Sequence, residues 1–366
     1  MSPTAPPRVA PLDSLRGLAA LAVAVFSHYQ HFGGDHARYP FAASAWGAWL
    51  YGNSWFLVDF FFLLSGMVLT LRYLRPLGEG AVGAKEFFLL RLTRLYPLHA
   101  ITLGVCAIVE WRLLAQKQPP LLYGNADLFH FFLNATYLQA GWFDYGWSYN
   151  GPSWSVSVEI CAYAMFFAFA SAHGGRKYLS RAVLGLLLGL AIARMNLSYP
   201  FFNQNVSRGL VGFFLGSLVW LGVEAARAAR VGPNLGYACL LAFATIVGLS
   251  ELIGYKEFVG ITPLPHALVV FPLLVVACLE VPMLARVLSL RPLRFLGDLS
   301  YSVYMVHVPL QMIVLSVLGA RRVPTERPWV FFAYAAAVVG LATLSHRYVE
   351  LPLQRRLRAR LLPVTS

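Results

Sequence analysis

Ten apolar runs, each close to the length of a bilayer crossing, dominate this chain: residues 13–33, 47–70, 97–115, 153–171, 181–198, 207–223, 234–253, 263–283, 298–319 and 329–346. A helical span takes about 20 mostly apolar residues. Inside the hydrocarbon layer each backbone N–H and C=O must find a partner within the protein, which restricts such runs to helices. The expected fold is all-α: a polytopic membrane bundle of about ten transmembrane helices. It forms one domain over residues 1–360, with a short tail at 361–366. Composition agrees, at 58% hydrophobic and 12% charged residues with a mean hydropathy of +0.62. Soluble domains run about 45–50% apolar and 25% charged. Residues 126–140 are too short and too polar for a confident span and are expected to be interfacial or re-entrant. A cleaved signal peptide would also begin with Arg8 and Arg16 and an apolar core. Nearly everything downstream is membrane-like too, so a first span is the simpler account.

The net charge of +13 does not point to nucleic acid, because the basic residues fall in short patches between apolar runs. These patches set an orientation. With the N-terminus in the cytoplasm, the cytoplasmic segments hold 19 basic residues and the outer ones seven: Arg38, Arg112, Lys117, Lys256, Arg321, Arg322 and Arg327. The positive-inside rule then places both termini in the cytoplasm. Cys106, Cys161, Cys239 and Cys278 each sit in an apolar run and read as small buried hydrophobes. No CxxC or HExxH pattern occurs, and no metal is expected.

Ionisable groups at membrane depth are costly, so each is a functional candidate. In the first span Arg16 lies near the cytoplasmic end. His28 lies twelve residues on, about 18 Å higher. In the fourth span Glu159 lies about 10 Å below the outer surface, at a depth that would match His28. A histidine oriented by a carboxylate is a general-base arrangement. The alternative is that Glu159 pairs with a buried base to hold the bundle. Trp154, Ser155 and Ser157 line the same entry. Arg91 and Arg94, three apart, would share a helical face. They suit either phosphate binding or membrane anchoring. His99, just past Pro97, reads as structural. Asp59 needs a basic partner, Arg16 or another. His307 falls near mid-membrane, and Glu350 is expected to pair with Arg347.

Six segments resemble the membrane-bound acyltransferase-3 family, in the same order along the chain. They are LDSLRGLAALAVAVFSHY at 12–29, VDFFFLLSGMVL at 58–69, RLTRLYP at 91–97, PSWSVSVE at 152–159, LGDLSYSVYMVHVPL at 296–310 and RYVELP at 347–352. The resemblance implies a ten-helix acyl-CoA-dependent transferase that O-acylates bacterial cell-surface glycans from the plasma (inner) membrane. It gives Arg16 and His28 the parts of the family's first-helix pair. The arginine-rich motif falls on Arg91 and Arg94, and the motif before the fourth span on Trp154, Ser155, Ser157 and Glu159. The donor would be acyl-CoA, most often acetyl-CoA, and the acceptor a glycan or lipid-linked sugar. Some members append an extracytoplasmic SGNH esterase-like domain. The chain stops after the last helix, so it is expected to lack one.

One departure stands out. The family pair is separated by ten residues, and Arg16 and His28 by eleven. In a straight helix the two then sit about 120° apart at about 100° per residue. A π-bulge would absorb the extra residue. On this reading the arginines favour the donor's phosphates and His28 deprotonates the acceptor hydroxyl. Glu159 orients His28, and Ser155 or Ser157 stabilises the oxyanion. A covalent acyl-histidine is the alternative route. A transporter or flippase would use the same buried polar residues to bind a solute.

The charge bias generates a topological test. Cysteines placed at positions 36 and 176 are expected to react with impermeant maleimides from opposite sides of the membrane; same-side labelling would overturn the ten-span orientation.

Overall fold

The computed structural model describes residues 9–143, 146–172, 177–195, 197–253, 263–319 and 323–362. Of the residues used to orient the chain, Arg8, Arg176, Lys256, Arg321 and Arg322 lie outside them. Among the described residues nine helices are long and apolar enough to cross a membrane. The count is ten if the bent pair His266–Glu280 and Pro282–Leu288 is one span. That pair turns by 90° at Val281, which adopts an extended conformation because the following proline disfavours the helical one.

The helices follow in chain order. α1 is Ala10–Val25, α2 Ala45–Asn53, α3 Leu57–Gly78 and α4 Ala84–Ala115. α5 is Leu128–Ala135, α6 Trp154–Ser171, α7 Tyr178–Met195, α8 Gln204–Ala228 and α9 Gly232–Ile253. α10 is Phe271–Glu280, α11 Pro282–Leu288, α12 Arg291–Leu318, α13 Pro328–Ser345 and α14 Leu351–Leu361. α1 opens with a proline in its first turn and Asp13 beside the N-terminal amides, both favourable there. α4 runs straight through Pro97 for 32 residues, so the third span begins well before residue 97 and carries Arg91 and Arg94 within it.

Close approach of backbones organises the bundle. α1 and α12 run parallel: Gly17 lies against the backbone of Leu296 and Gly297, and Gly297 against that of Asp13, where a Cβ on either glycine would overlap. Small residues at such crossings let dispersion and polar contacts replace the hydrophobic effect that lipid does not supply. α7, α9 and α13 form the periphery. Leu184, Leu187, Leu241 and Phe332 there are exposed, as a lipid-facing surface requires.

Residues 126–143 are re-entrant. Asn134 O accepts from His99 Nε2 at 2.9 Å, and Ala135 O accepts from the Tyr96 hydroxyl at 3.0 Å. His99 lies sixteen residues before the end of α4, about 24 Å along the axis. Irregular backbone at this depth needs partners within the protein. Ser157 supplies three of them. Its hydroxyl donates to Tyr137 O at 2.7 Å and accepts from the amides of Ala140 and Gly141 at 3.3 and 2.9 Å. Asn203 donates to Ala140 O, and Gln139 to the Ser153 hydroxyl. The Ser157 hydroxyl, expected to bind substrate, thus spends its bonds on the loop.

One pairing differs from expectation. Glu350 bonds Ser302 at 2.7 Å and His346 at 3.0 Å rather than Arg347. A π-helical turn at His346–Glu350 changes the register there. The π-turns lie here and at His266–Val270; none lies in α1, where the spacing called for one.

Ser157→Ala is expected to destabilise the fold by about 2 kcal/mol, because two buried amides lose their acceptor. A fall in the thermal midpoint of the detergent-solubilised protein checks this, with exposed Ser171→Ala as the unchanged control.

Candidate active site

Two cavities are strung along the α1–α12 pair. One, of about 110 Å³, is lined by Arg16, Ser65, Arg91, Arg94, Ser155 and Glu159, among others. The other, of about 400 Å³, is lined by His28, His31, Trp55, Trp147, Trp154 and Arg208, among others. Tyr304 belongs to both walls. Its hydroxyl donates to Pro152 O at 3.0 Å and lies 3.1 Å from the Ser155 hydroxyl.

The first cavity is basic. Arg16 Nη2 donates to Asp13 and Nε to Ser300, both at 2.9 Å. Arg91 donates to the Tyr73 hydroxyl and lies over its ring at 4.6 Å. Arg94 has no ion-pair partner among the described residues, and Arg72 and Arg358 stand close enough to repel it. The Nε atoms of Arg72, Arg91 and Arg358 are buried without hydrogen-bond partners. Buried donors left unpaired are expensive, and among the described lining residues three guanidiniums, Arg16, Arg91 and Arg94, face one carboxylate, Glu159. A polyanion fits both deficits.

Glu159 belongs to this basic cavity, not to His28. It accepts a hydrogen bond from Ser65, which also lies 3.5 Å from the Tyr163 hydroxyl. The contacts of Arg16 and His28 on α12, Ser300 and His307, are seven residues apart, or about 10 Å. The expected His28–Glu159 pair is therefore not formed. Depth counted from residue 152 misplaced Glu159, because the re-entrant segment has already carried the chain deep into the bundle before α6 begins.

The first helix resolves its spacing by tightening rather than bulging. α1 ends at Val25, and Ser27–Phe32 continue as a three-ten turn. Across that break Arg16 and His28 both reach α12 despite the mismatch of a straight helix.

His28 sits in a stack of three imidazoles. Its ring is parallel to that of His307 within 10° and to that of His31 within 13°. The proton positions follow from partners that can only accept. His307 Nδ1 faces Val303 O at 3.1 Å, so it carries the proton. In the neutral stack His307 Nε2 is then an acceptor, and His28 Nδ1, 2.6 Å away, donates to it. His28 Nε2 keeps its lone pair and has no protein partner among the described residues. Gln311 donates to His28 O at 2.7 Å and turns its carbonyl to His31 Nδ1 at 3.2 Å. The group that orients His28 is thus His307, a residue the sequence placed at mid-membrane without a role.

Sequence reasoning missed Arg208 altogether. It clamps the fully buried Asp59 through Nε at 2.8 Å and Nη2 at 3.2 Å. It lies over the rings of Trp55 and Trp154 at 5.1 and 4.8 Å. The signal was available: Asp59 and Arg208 each stand in an apolar run, and buried charges need partners.

A family model described as an acyltransferase domain, that of acyltransferase-3, matches residues 9–347. The peptidoglycan O-acetyltransferase OatA of Listeria monocytogenes is 24% identical over 94% of this chain and 55% of its own length. The putative peptidoglycan O-acetyltransferase YrhL of Bacillus subtilis is 25% identical over 94% of this chain and 54% of its own. A shorter match, 36% identical over 29% of this chain, is to protein 2 in the picA locus of Rhizobium radiobacter, 48% of which is covered. The chain thus spans about half the length of the curated relatives it matches. No solved structure matches it.

Proposed function

The chain belongs to the acyltransferase-3 family, and from that premise we propose that it transfers an acyl group, acetyl by default, from acyl-CoA to a hydroxyl of a cell-envelope or exported glycan. The observation that carries this reading is the division of labour along one helix pair. Unpaired arginine donors gather at one end, and an imidazole with a free Nε2 stands at the other. We place the basic end, with both termini, in the cytoplasm of the plasma membrane on the strength of the basic bias.

In this scheme Arg91 and Arg94, with Arg72, Arg358 and Arg16, hold the donor's phosphates by charge-assisted bonds. Glu159 supports Arg16 within that cavity and keeps the cluster from carrying unrelieved positive charge. His28 Nε2 accepts the proton of the acceptor hydroxyl as its oxygen bonds to the thioester carbonyl carbon. The tetrahedral intermediate collapses with cleavage of the C–S bond, and the proton passes from His28 to the departing thiolate. The His28 Nδ1–H bond to His307 stays intact throughout and stabilises the transient imidazolium. Ser155 and Tyr304, at the junction of the cavities, are the hydroxyls nearest to serve an oxyanion. Trp154 contributes by packing Arg208.

His28→Ala is expected to abolish transfer from labelled acyl-CoA while the protein reaches the membrane at normal levels. Ser27→Ala and His31→Ala should be mild. Loss of activity in His31→Ala with retention in His28→Ala would move the base one turn along. Arg91→Ala and Arg94→Ala are each expected to weaken acyl-CoA binding roughly 10–100-fold, the worth of one charge-assisted contact. Calorimetry in detergent measures this, and unchanged affinity in both would return the pair to membrane anchoring.

A further inference from the structure

The wall of the histidine cavity has a composition that hydroxyl transfer alone does not require. Three indoles, Trp55, Trp147 and Trp154, border it together with the phenol of Tyr123. Trp147 and Trp55 are 44% and 36% exposed, unusual for the largest apolar side chain unless the ring faces a ligand or lipid. Trp147 packs edge-on against Trp154 at 5.5 Å, and Trp154 covers Arg208. Gln30 and His31 add neutral hydrogen-bonding groups to the same wall. The volume, about 400 Å³, lies in the range of small-molecule sites, about 300–1,000 Å³.

Charge is the second observation. The described lining holds one fixed cation, Arg208. That guanidinium is bound by both oxygens of Asp59 through Nε and Nη2, and it lies over the rings of Trp55 and Trp154. The pair is neutral as a unit, and in the neutral histidine stack the wall as a whole offers no net charge. Flat aromatic faces, neutral donors and acceptors, and a cancelled charge suit a pyranose ring, whose C–H face stacks on an indole and whose hydroxyls reach the rim. They do not suit a carboxylate or phosphate, which would enter without a counter-ion.

We propose that the histidine cavity is a platform for an uncharged sugar ring, stacked on Trp147 and Trp55, and that the Asp59–Arg208 pair excludes acidic sugars by withholding its cation. This rests on the proposed acyl transfer for the view that the cavity takes the acceptor, but the binding preference is separable from the reaction. The probes are two tetramers: chitotetraose, which is neutral, and tetragalacturonate, which carries a carboxylate on every ring. Each is titrated by calorimetry into the full chain in detergent.

Saturable binding of chitotetraose is expected, with tetragalacturonate about tenfold weaker or more. Trp147→Ala should weaken chitotetraose about tenfold while melting like the wild type, since the indole is half exposed. Asp59→Asn frees the guanidinium and should move the preference toward tetragalacturonate. Should that variant fail to accumulate, Asp59→Asn with Arg208→Gln restores neutrality and is expected to keep the preference for chitotetraose. Tetragalacturonate binding as tightly as chitotetraose, undiminished chitotetraose binding in Trp147→Ala, or no binding of either up to ~10 mM would each overturn the proposal. Acetyl-CoA hydrolysis, followed in the same preparations, separates the two ideas. Neutral-sugar binding without hydrolysis counts against acyl transfer alone, and hydrolysis without neutral-sugar binding counts against the platform alone.

Discussion

The parallel contact of α1 with α12 is the constraint from which the rest of the interior follows. Gly17 and Gly297 remove the side chains that would hold the two backbones apart. With the helices in register, Arg16 meets Ser300, His28 meets His307, and His31 meets Gln311. One helix pair therefore sets both the depth of the basic cavity and the orientation of the imidazole stack. A shift of one residue along the pair would separate all three contacts together, because helical side chains are locked to their own turn.

The membrane sets strict terms for polar groups, and the bundle meets them in most places. Asp59 has Arg208, Glu280 has Arg227 at 2.7 Å, and Glu350 has Ser302 and His346. The irregular backbone at 134–141 is met by His99, Ser157 and Asn203. Against that background the exceptions carry information. The Nε of Arg91 is buried without a partner on the wall of one cavity, and one imidazole nitrogen faces the other without a protein partner among the described residues. A buried cationic donor left without a partner on a cavity wall suits an anionic ligand.

Much of this was legible from residue order alone. Ten apolar runs gave the all-α bundle, and the i,i+3 spacing of Arg91 and Arg94 put both on one cavity wall. What failed did so for physical reasons. Depth counting assumes that a chain enters a span at the membrane surface, and the re-entrant segment breaks that assumption for Glu159. A straight helix would set Arg16 and His28 on different faces, and the three-ten turn at Ser27–Phe32 changes the pitch between them. Ser157 lies in a motif with Trp154 and Ser155, yet motif membership does not reveal which way a hydroxyl turns. His307 acquires its role from a partner 279 residues away, and no local pattern encodes such a distance.

Two polar cavities inside one membrane bundle raise a problem that the fold also has to solve. Joined, they would make a water-filled path, and ions follow such paths wherever polar lining replaces hydration. Tyr304 stands at the junction. Its hydroxyl is held by Pro152 O, and its ring packs on Phe61 at 5.6 Å and on His307 at 5.9 Å. The same carbonyl also accepts from the Trp154 amide in the turn before α6 and from the Ser155 hydroxyl at 3.1 Å. The residue shared by both walls thus also touches His307, the hydrogen-bond partner of His28. A tyrosine, with an apolar ring to pack and a hydroxyl to anchor, suits a wall shared by two polar cavities better than a phenylalanine or a serine.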